Sequence, residues 1–347
     1  MGNYNFAYQF LISLLVHLPI SPLSAYKLLS SIFDVTLALS AGRIVQSLLY
    51  LRKGIRDKSI FCLVSTLVLW LPTVWLDSSV WAQCDSIYAT FVVLTLVCMV
   101  EKKFPAAAAF LGLAISFKLQ AVFIVPFVLL YYIRQKSFSI LLVFVSVICF
   151  YVPCLPGLIA GRDLLDPIRV YLDQTSVYPG MWFGYPSFWA LVGNDYVSLK
   201  VPAILAAVVI FALLHWHISR HEVDLSHPSS FLYLASLTTW TCVILLPAMH
   251  ERYGYVMTIL LLIASTYDKK TLPFFLIAEV LDCITYGTYL YGANGGPFGV
   301  VSDGDMRVLA IINLITYAFY FRLVLKSLSA SVAGKTNPQH LTDNRPR

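Results

Sequence analysis

The chain has 347 residues, of which 59% are hydrophobic and only 12% charged, with a mean hydropathy of +0.77. An average soluble domain carries about twice that charged share, so a water-facing globule is excluded and a membrane protein is implied. The net charge of +6 does not point to nucleic acid, because the basic residues sit in short loops between apolar runs, where they act as topology signals.

Taken in chain order, residues 6–19 are short for a span and end at Pro19-Ile20-Ser21-Pro22, so residues 1–23 read as a half-helix at the membrane interface. No positive charge precedes this apolar stretch, unlike the start of a secretory signal. Eleven crossings are then predicted, over 24–50, 59–75, 85–101, 104–117, 119–133, 138–155, 198–216, 229–247, 253–268, 271–289 and 307–326. Their lengths approach the roughly 20 residues that cross a bilayer core. The pair 104–117 and 119–133 is short and reads as a tight hairpin with a polar tip, Ser116-Phe117-Lys118-Leu119-Gln120. The predicted fold class is therefore all-α, a polytopic transmembrane bundle over 24–327. It carries one long external segment at 156–197 and a polar, disordered cytoplasmic tail at 328–347.

Loop charges orient the bundle. Loops 51–58, 101–103, 134–137, 217–228 and 268–270, the tail, Arg43, Arg322 and Lys326 together hold 17 of the 24 Lys and Arg. Seven fall on the other side: Lys27, Lys118, Arg162, Arg169, Lys200, Arg252 and Arg307. The first group marks the cytoplasm. Eleven crossings then put the N-terminus outside with nothing to carry it there, and a missing upstream helix is expected. The seven Cys form no C-x-x-C pair and read as small buried hydrophobes, with a bridge among Cys84, Cys154 and Cys283 open by sidedness alone.

Polar residues inside or beside spans need a reason to be there. Asp34 lies about ten residues, or ~15 Å, into the first span, and Asp282 lies in the outer half of 271–289. Each can be explained by a hydrogen bond to a neighbouring helix. In Trp81-Ala82-Gln83-Cys84-Asp85-Ser86-Ile87-Tyr88, Asp85 is placed to cap the third span, which leaves Gln83 and Trp81 unexplained. Lys118 is a lone cation at an external junction beside Gln120, suited to a phosphate or to lipid head groups. Pro247-Ala248-Met249-His250-Glu251-Arg252-Tyr253 puts a proton shuttle, an acid and a phosphate clamp in consecutive positions. The external segment adds Asp173, Gln174 and the aromatic run VYPGMWFGYPSFW, either an interface belt or a platform for a head group. No Walker loop, G-x-G-x-x-G or zinc-type spacing occurs. Such a face could bind a lipid-linked phosphate and an acceptor hydroxyl.

WAQCDSIY, SFKLQ and LPAMHERY resemble motifs of bacterial relatives of the second mannosyltransferase of GPI-anchor synthesis, as do NYNFAYQFL, ISPLSAYKLLSSIFDV, LPTVWLDSSVWAQCD and VYLDQT. The resemblance runs to about residue 255 and weakens beyond. It implies a GT-C fold and an inverting transfer, at the outer face of a bacterial plasma membrane, from a polyprenyl- or dolichyl-phosphate sugar to a lipid or glycan acceptor. Neither nucleotide cofactor nor metal is expected. On that reading Asp85 is the catalytic carboxylate, and Lys118 and Arg252 hold the donor phosphate. Gln83, Gln120, Asp173, Gln174, His250 and Glu251 surround the sugar or acceptor. Two departures stand out: the family pattern has Gly where this chain has Ala82, and the first external loop with its acid has no counterpart. The alternatives are a transporter or flippase for a glycolipid or small solute, and a catalytically silent relative.

Overall fold

The computed structural model describes residues 4–221, 223–292 and 301–333. It is an all-α bundle. In chain order come α1 (Phe6–Leu15), α2 (Pro22–Lys53), α3 (Lys58–Trp70) and α4 (Pro72–Trp75), the last running into a π-turn at Leu76–Val80. Next are α5 (Asp85–Val100), α6 (Phe104–Phe117), a 3-10 segment (Leu119–Ile124), α7 (Val125–Gln135), α8 (Leu142–Tyr151) and α9 (Leu155–Ile159). Beyond α10 (Asp166–Val177) a two-residue strand, β1 (Trp182–Phe183), precedes α11 (Trp189–Val192), α12 (Tyr196–Arg220) and α13 (Pro228–Leu245). A second short strand, β2 (Met249–His250), leads to α14 (Tyr255–Tyr267), α15 (Leu272–Tyr291) and α16 (Asp303–Ala333).

Six helices are long and apolar enough to cross a membrane, or seven if α3 and α4 with its π-turn, bent by 53° where Pro72 interrupts them, count as one span. Helices α5, α6 and α14 have 16, 14 and 13 residues, about 20–24 Å at helical rise. They are shorter than a bilayer core and rely on neighbours. α13 and α14 are buried along nearly their whole length and form the centre, while α8 and α12 turn exposed Phe144, Val147, Val197 and Val201 outward, as lipid-facing helices do.

Local chemistry sets the helix ends. The Ser21 hydroxyl accepts from the Ser24 amide at 3.1 Å and Pro22 opens α2. Gly54, at φ +71°, closes it after Arg52 and Lys53. Small residues set the close packing. A Cβ on Gly112 would collide with the Ser146 backbone of α8, and one on Gly42 would meet the Phe61 carbonyl oxygen of α3 at 2.7 Å. Polar bonds join the central helices, with Ser236 to Tyr320 at 2.6 Å and Thr241 to Tyr317 at 2.8 Å.

A helix lies at each predicted crossing, and several expectations change in detail. The segment 156–197 is not one loop, since it contains the end of α9, all of α10, β1 and α11. α16 runs on to Ala333, so the first residues of the predicted disordered tail are helical, and 334–347 lie outside the described residues. All seven cysteines are free thiols, Cys84, Cys154 and Cys283 included. Both intramembrane aspartates bond across helices: Ser78 donates to Asp34, and Thr258 donates to Asp282 at 2.6 Å.

Candidate functional site

A cavity of about 570 Å³ opens at the end of the bundle where α5 and α14 begin and α6 ends. Three segments far apart in sequence meet on its wall: Trp81 and Gln83, then Lys118 and Gln120, then the run Pro247–Tyr253. Gln174 of α10 lines it too. Asp173 does not; it is exposed on the outer side of α10.

The turn before α5 explains the first segment. Ala82 adopts φ +62°, a left-handed conformation that glycine takes without strain. This lets the Gln83 amide reach back to the Asp77 carbonyl at 2.9 Å and close the π-turn. The Gln83 carbonyl accepts from the Ser30 hydroxyl at 2.5 Å, and its side-chain oxygen accepts from Tyr4 at 3.2 Å. Burial pushes the nearby Cys84 thiol up to about 12.

The expected capping role of Asp85 is not what the structure shows. Asp85 is the first helical residue of α5 and its carboxylate makes no cap. The Asp77 carboxylate accepts the Asp85 backbone N–H instead, at 3.3 Å. The freed carboxylate of Asp85, fully buried, pairs with Lys118 through one oxygen and faces the Arg252 Nε at 3.2 Å through the other. Asp85 is absent from the cavity wall: it sits behind the two cations and holds them side by side. Chain geometry presents Lys118, whose own backbone is extended (φ −154°) where α6 gives way to the 3-10 segment.

Arg252 is the hub. Its Nη1 donates to Glu251 Oε1 at 2.9 Å, and its guanidinium lies 5.4 Å from the Trp81 ring centroid. Burial alone would lower its affinity for the proton, but Asp85 and Glu251 outweigh that and hold it above the ordinary arginine range. The other Glu251 oxygen faces His250 Nδ1 at 3.7 Å. Glu251 lines the cavity, and it is the carboxylate that reaches the wall.

A short parallel pairing holds this triplet in place. Trp182 and Phe183 align with Met249 and His250, and the Glu251 amide donates to the Phe183 carbonyl at 3.0 Å. Phe183 also stacks on the His250 ring, with centroids 4.8 Å apart and planes 15° apart. The aromatic run therefore acts as a clamp on the His250-Glu251-Arg252 triplet as well as a surface feature. Gly184, at φ +88°, passes within 3.3 Å of the Glu251 Cβ when given a Cβ of its own.

Three participants were missed from sequence. Asp77, Tyr4 and Asn5 fall within the quoted motifs LPTVWLDSSVWAQCD and NYNFAYQFL but are given no role there, and all three border or line the site. The Pro72 break followed by Asp77-Ser78-Ser79 was the available signal for the first. Gln120 leaves its side-chain oxygen without a hydrogen-bond partner among the described residues, an acceptor suited to a ligand hydroxyl. No cluster of three or more His, Cys, Asp or Glu with metal-holding geometry occurs among the described residues. No family model matches the chain, and no curated protein does.

Proposed function

We propose that the chain is a membrane glycosyltransferase, of the mannosyltransferase type and GT-C fold, with about eleven spans. On this reading it uses a polyprenyl- or dolichyl-phosphate sugar at the outer face of a bacterial plasma membrane. The carrying observation is the convergence of the three motif segments on one cavity, with two cations bridged by one carboxylate. Lys118 and Arg252 keep further N–H groups for the wall, and together they form a cradle for the donor phosphate. Gln83, Gln120, Gln174 and His250 offer hydrogen bonds to sugar or acceptor hydroxyls.

In the transfer, an acceptor hydroxyl oxygen attacks the anomeric carbon, and the carbon–oxygen bond to phosphate breaks with inversion. The polyprenyl phosphate leaves with the electron pair, its charge met by Lys118 and Arg252. The acceptor proton goes to Glu251, which His250 can relieve of it. Asp85, too deeply buried to touch substrate, becomes a positioning residue for the two cations.

A glycolipid transporter is the second reading. The 53° break between α3 and α4 favours it, since interrupted helices line many transport sites. Proteoliposomes supplied with radiolabelled polyprenyl-phosphate mannose and crude lipid acceptors separate the two. Covalent transfer, reduced about 100-fold or more in Glu251→Gln and Arg252→Ala, is expected. Movement of label across the bilayer without a new glycosidic bond would replace the enzyme reading with the transporter.

A further inference from the structure

A second pocket, of about 400 Å³, lies at the other end of the bundle. Ser30 of α2 touches the first cavity's turn and Ser47 touches the second pocket, a separation of about 26 Å by helical rise. Four cations line this pocket, Arg43, Arg56, Lys102 and Lys103, against one carboxylate, Glu101.

Glu101 is saturated. It takes Arg43 Nη2 at 2.6 Å and Nε at 2.7 Å, Lys103 Nζ at 2.7 Å and the Ser47 hydroxyl at 2.9 Å. Arg56 and Lys102 have no carboxylate partner among the described residues; Arg56 lies 5.3 Å from the Tyr50 ring centroid. Four positive groups and one negative leave a local charge of +3 in a concavity. An ordinary topology signal needs no concave arrangement, since solvated lysines serve it equally.

The turn adds a further point. The Lys102 amide bonds to the Met99 carbonyl at 3.1 Å and the Lys103 amide to the Cys98 carbonyl at 2.8 Å. This helix ending is usually completed by glycine in the left-handed region. Lys102 takes that place at φ +58°, so a charge sits where the backbone favours glycine. Beside the pocket, Tyr50, Leu51 and Ile55 are exposed apolar side chains, a surface for acyl chains alongside a cationic head-group seat.

We propose that this pocket binds the phosphate head group of an anionic membrane phospholipid, with the acyl chains along Leu51 and Ile55. Each basic residue near an anionic lipid contributes about 1 kcal/mol, so removing two should weaken binding roughly 30-fold.

The test uses the full chain in detergent and native mass spectrometry with phosphatidylglycerol, phosphatidylcholine and glycerol 3-phosphate. Retention of phosphatidylglycerol over phosphatidylcholine is expected, with the roughly 30-fold loss in the pair Arg56→Gln and Lys102→Gly. Lys102→Gly removes charge while relaxing the turn, so it should melt no lower than the parent and still bind less lipid. Lys136→Gln, at a residue outside the pocket, should leave binding unchanged. Equal retention of phosphatidylcholine, equal loss in Lys136→Gln, or glycerol 3-phosphate binding as tightly as the lipid would each overturn the proposal.

Discussion

The carboxylate of Asp77 accepts the backbone N–H of Asp85 at 3.3 Å, and through it the broken helix α3–α4 anchors the start of α5. The consequence is a division of labour between two adjacent buried acids. Asp77 holds the helix end, and Asp85 is left free to gather Lys118 and Arg252. A carboxylate bridging two cations fixes their spacing in advance, and under the proposed function this would lower the reorganisation needed to bind a phosphate.

That arrangement gives Asp85 a structural role whatever the site binds. Asp85→Ala leaves two cations facing each other in a buried site, and a loss of about 3–5 kcal/mol is expected, as when one partner of a buried ion pair is removed. Adding Lys118→Met should recover part of it, because one uncompensated charge goes as well. Thermal and denaturant unfolding of the single and double variants in detergent measure the coupling. Additive losses would mean that the two side chains do not interact.

Ala82 holds a φ of +62°, a left-handed conformation that glycine adopts without strain. A left-handed alanine costs on the order of 1 kcal/mol, which the greater flexibility of unfolded glycine partly offsets. Ala82→Gly is therefore expected to be neutral or to stabilise by a few tenths to about 1 kcal/mol. Ala82→Val, β-branched at the same φ, should destabilise by more than that. A melting series over the three residues checks the ordering.

What could be read from the sequence followed from burial cost. Charges and amides beside apolar runs, in WAQCD, SFKLQ and MHERY, stand out because a membrane penalises them, and all three segments line one cavity. The sequence could not tell which acid faces the cavity, because that depends on a hydrogen bond between residues eight apart across a π-turn. The two-residue pairing of Trp182–Phe183 with Met249–His250 was equally hidden, being too short to show a strand period and spanning 67 positions. Asp173 and Gln174 looked equivalent as neighbours; on α10 they point differently, and only Gln174 reaches the wall.

Acid should loosen the other end of the bundle. Burial would raise the Glu101 carboxyl, but hydrogen bonds from Lys103, Ser47 and Arg43 more than reverse this and hold it below the usual carboxylate range. A group with a lowered folded-state value contributes stability above its unfolded value, near 4.3, and loses it as pH falls through the folded value. The melting temperature of the parent should then exceed that of Glu101→Gln at neutral pH, with the gap closing in acid. A gap that persists unchanged below the ordinary carboxylate range would contradict the assignment.

Gly254 sits between Arg252 and the start of α14, where there is no room for a side chain. A Cβ there would lie 2.7 Å from Asp282 Oδ1 and 2.9 Å from Tyr185 Cε2. Neither neighbour can yield easily, since Asp282 is held by Thr258 and Tyr185 is fully buried. Gly254→Ala should cost about 1–3 kcal/mol, the usual penalty for overpacking, and at the N-cap of α14 alanine brings no propensity gain to offset it. Gly304→Ala makes the comparison fair: on α16 its new Cβ meets nothing closer than 3.6 Å, so propensity alone should act and the variant should melt at or above the parent. If both substitutions shifted the melting temperature equally, the close approach at Gly254 would not be what constrains the turn, and the placement of Arg252 would need another cause.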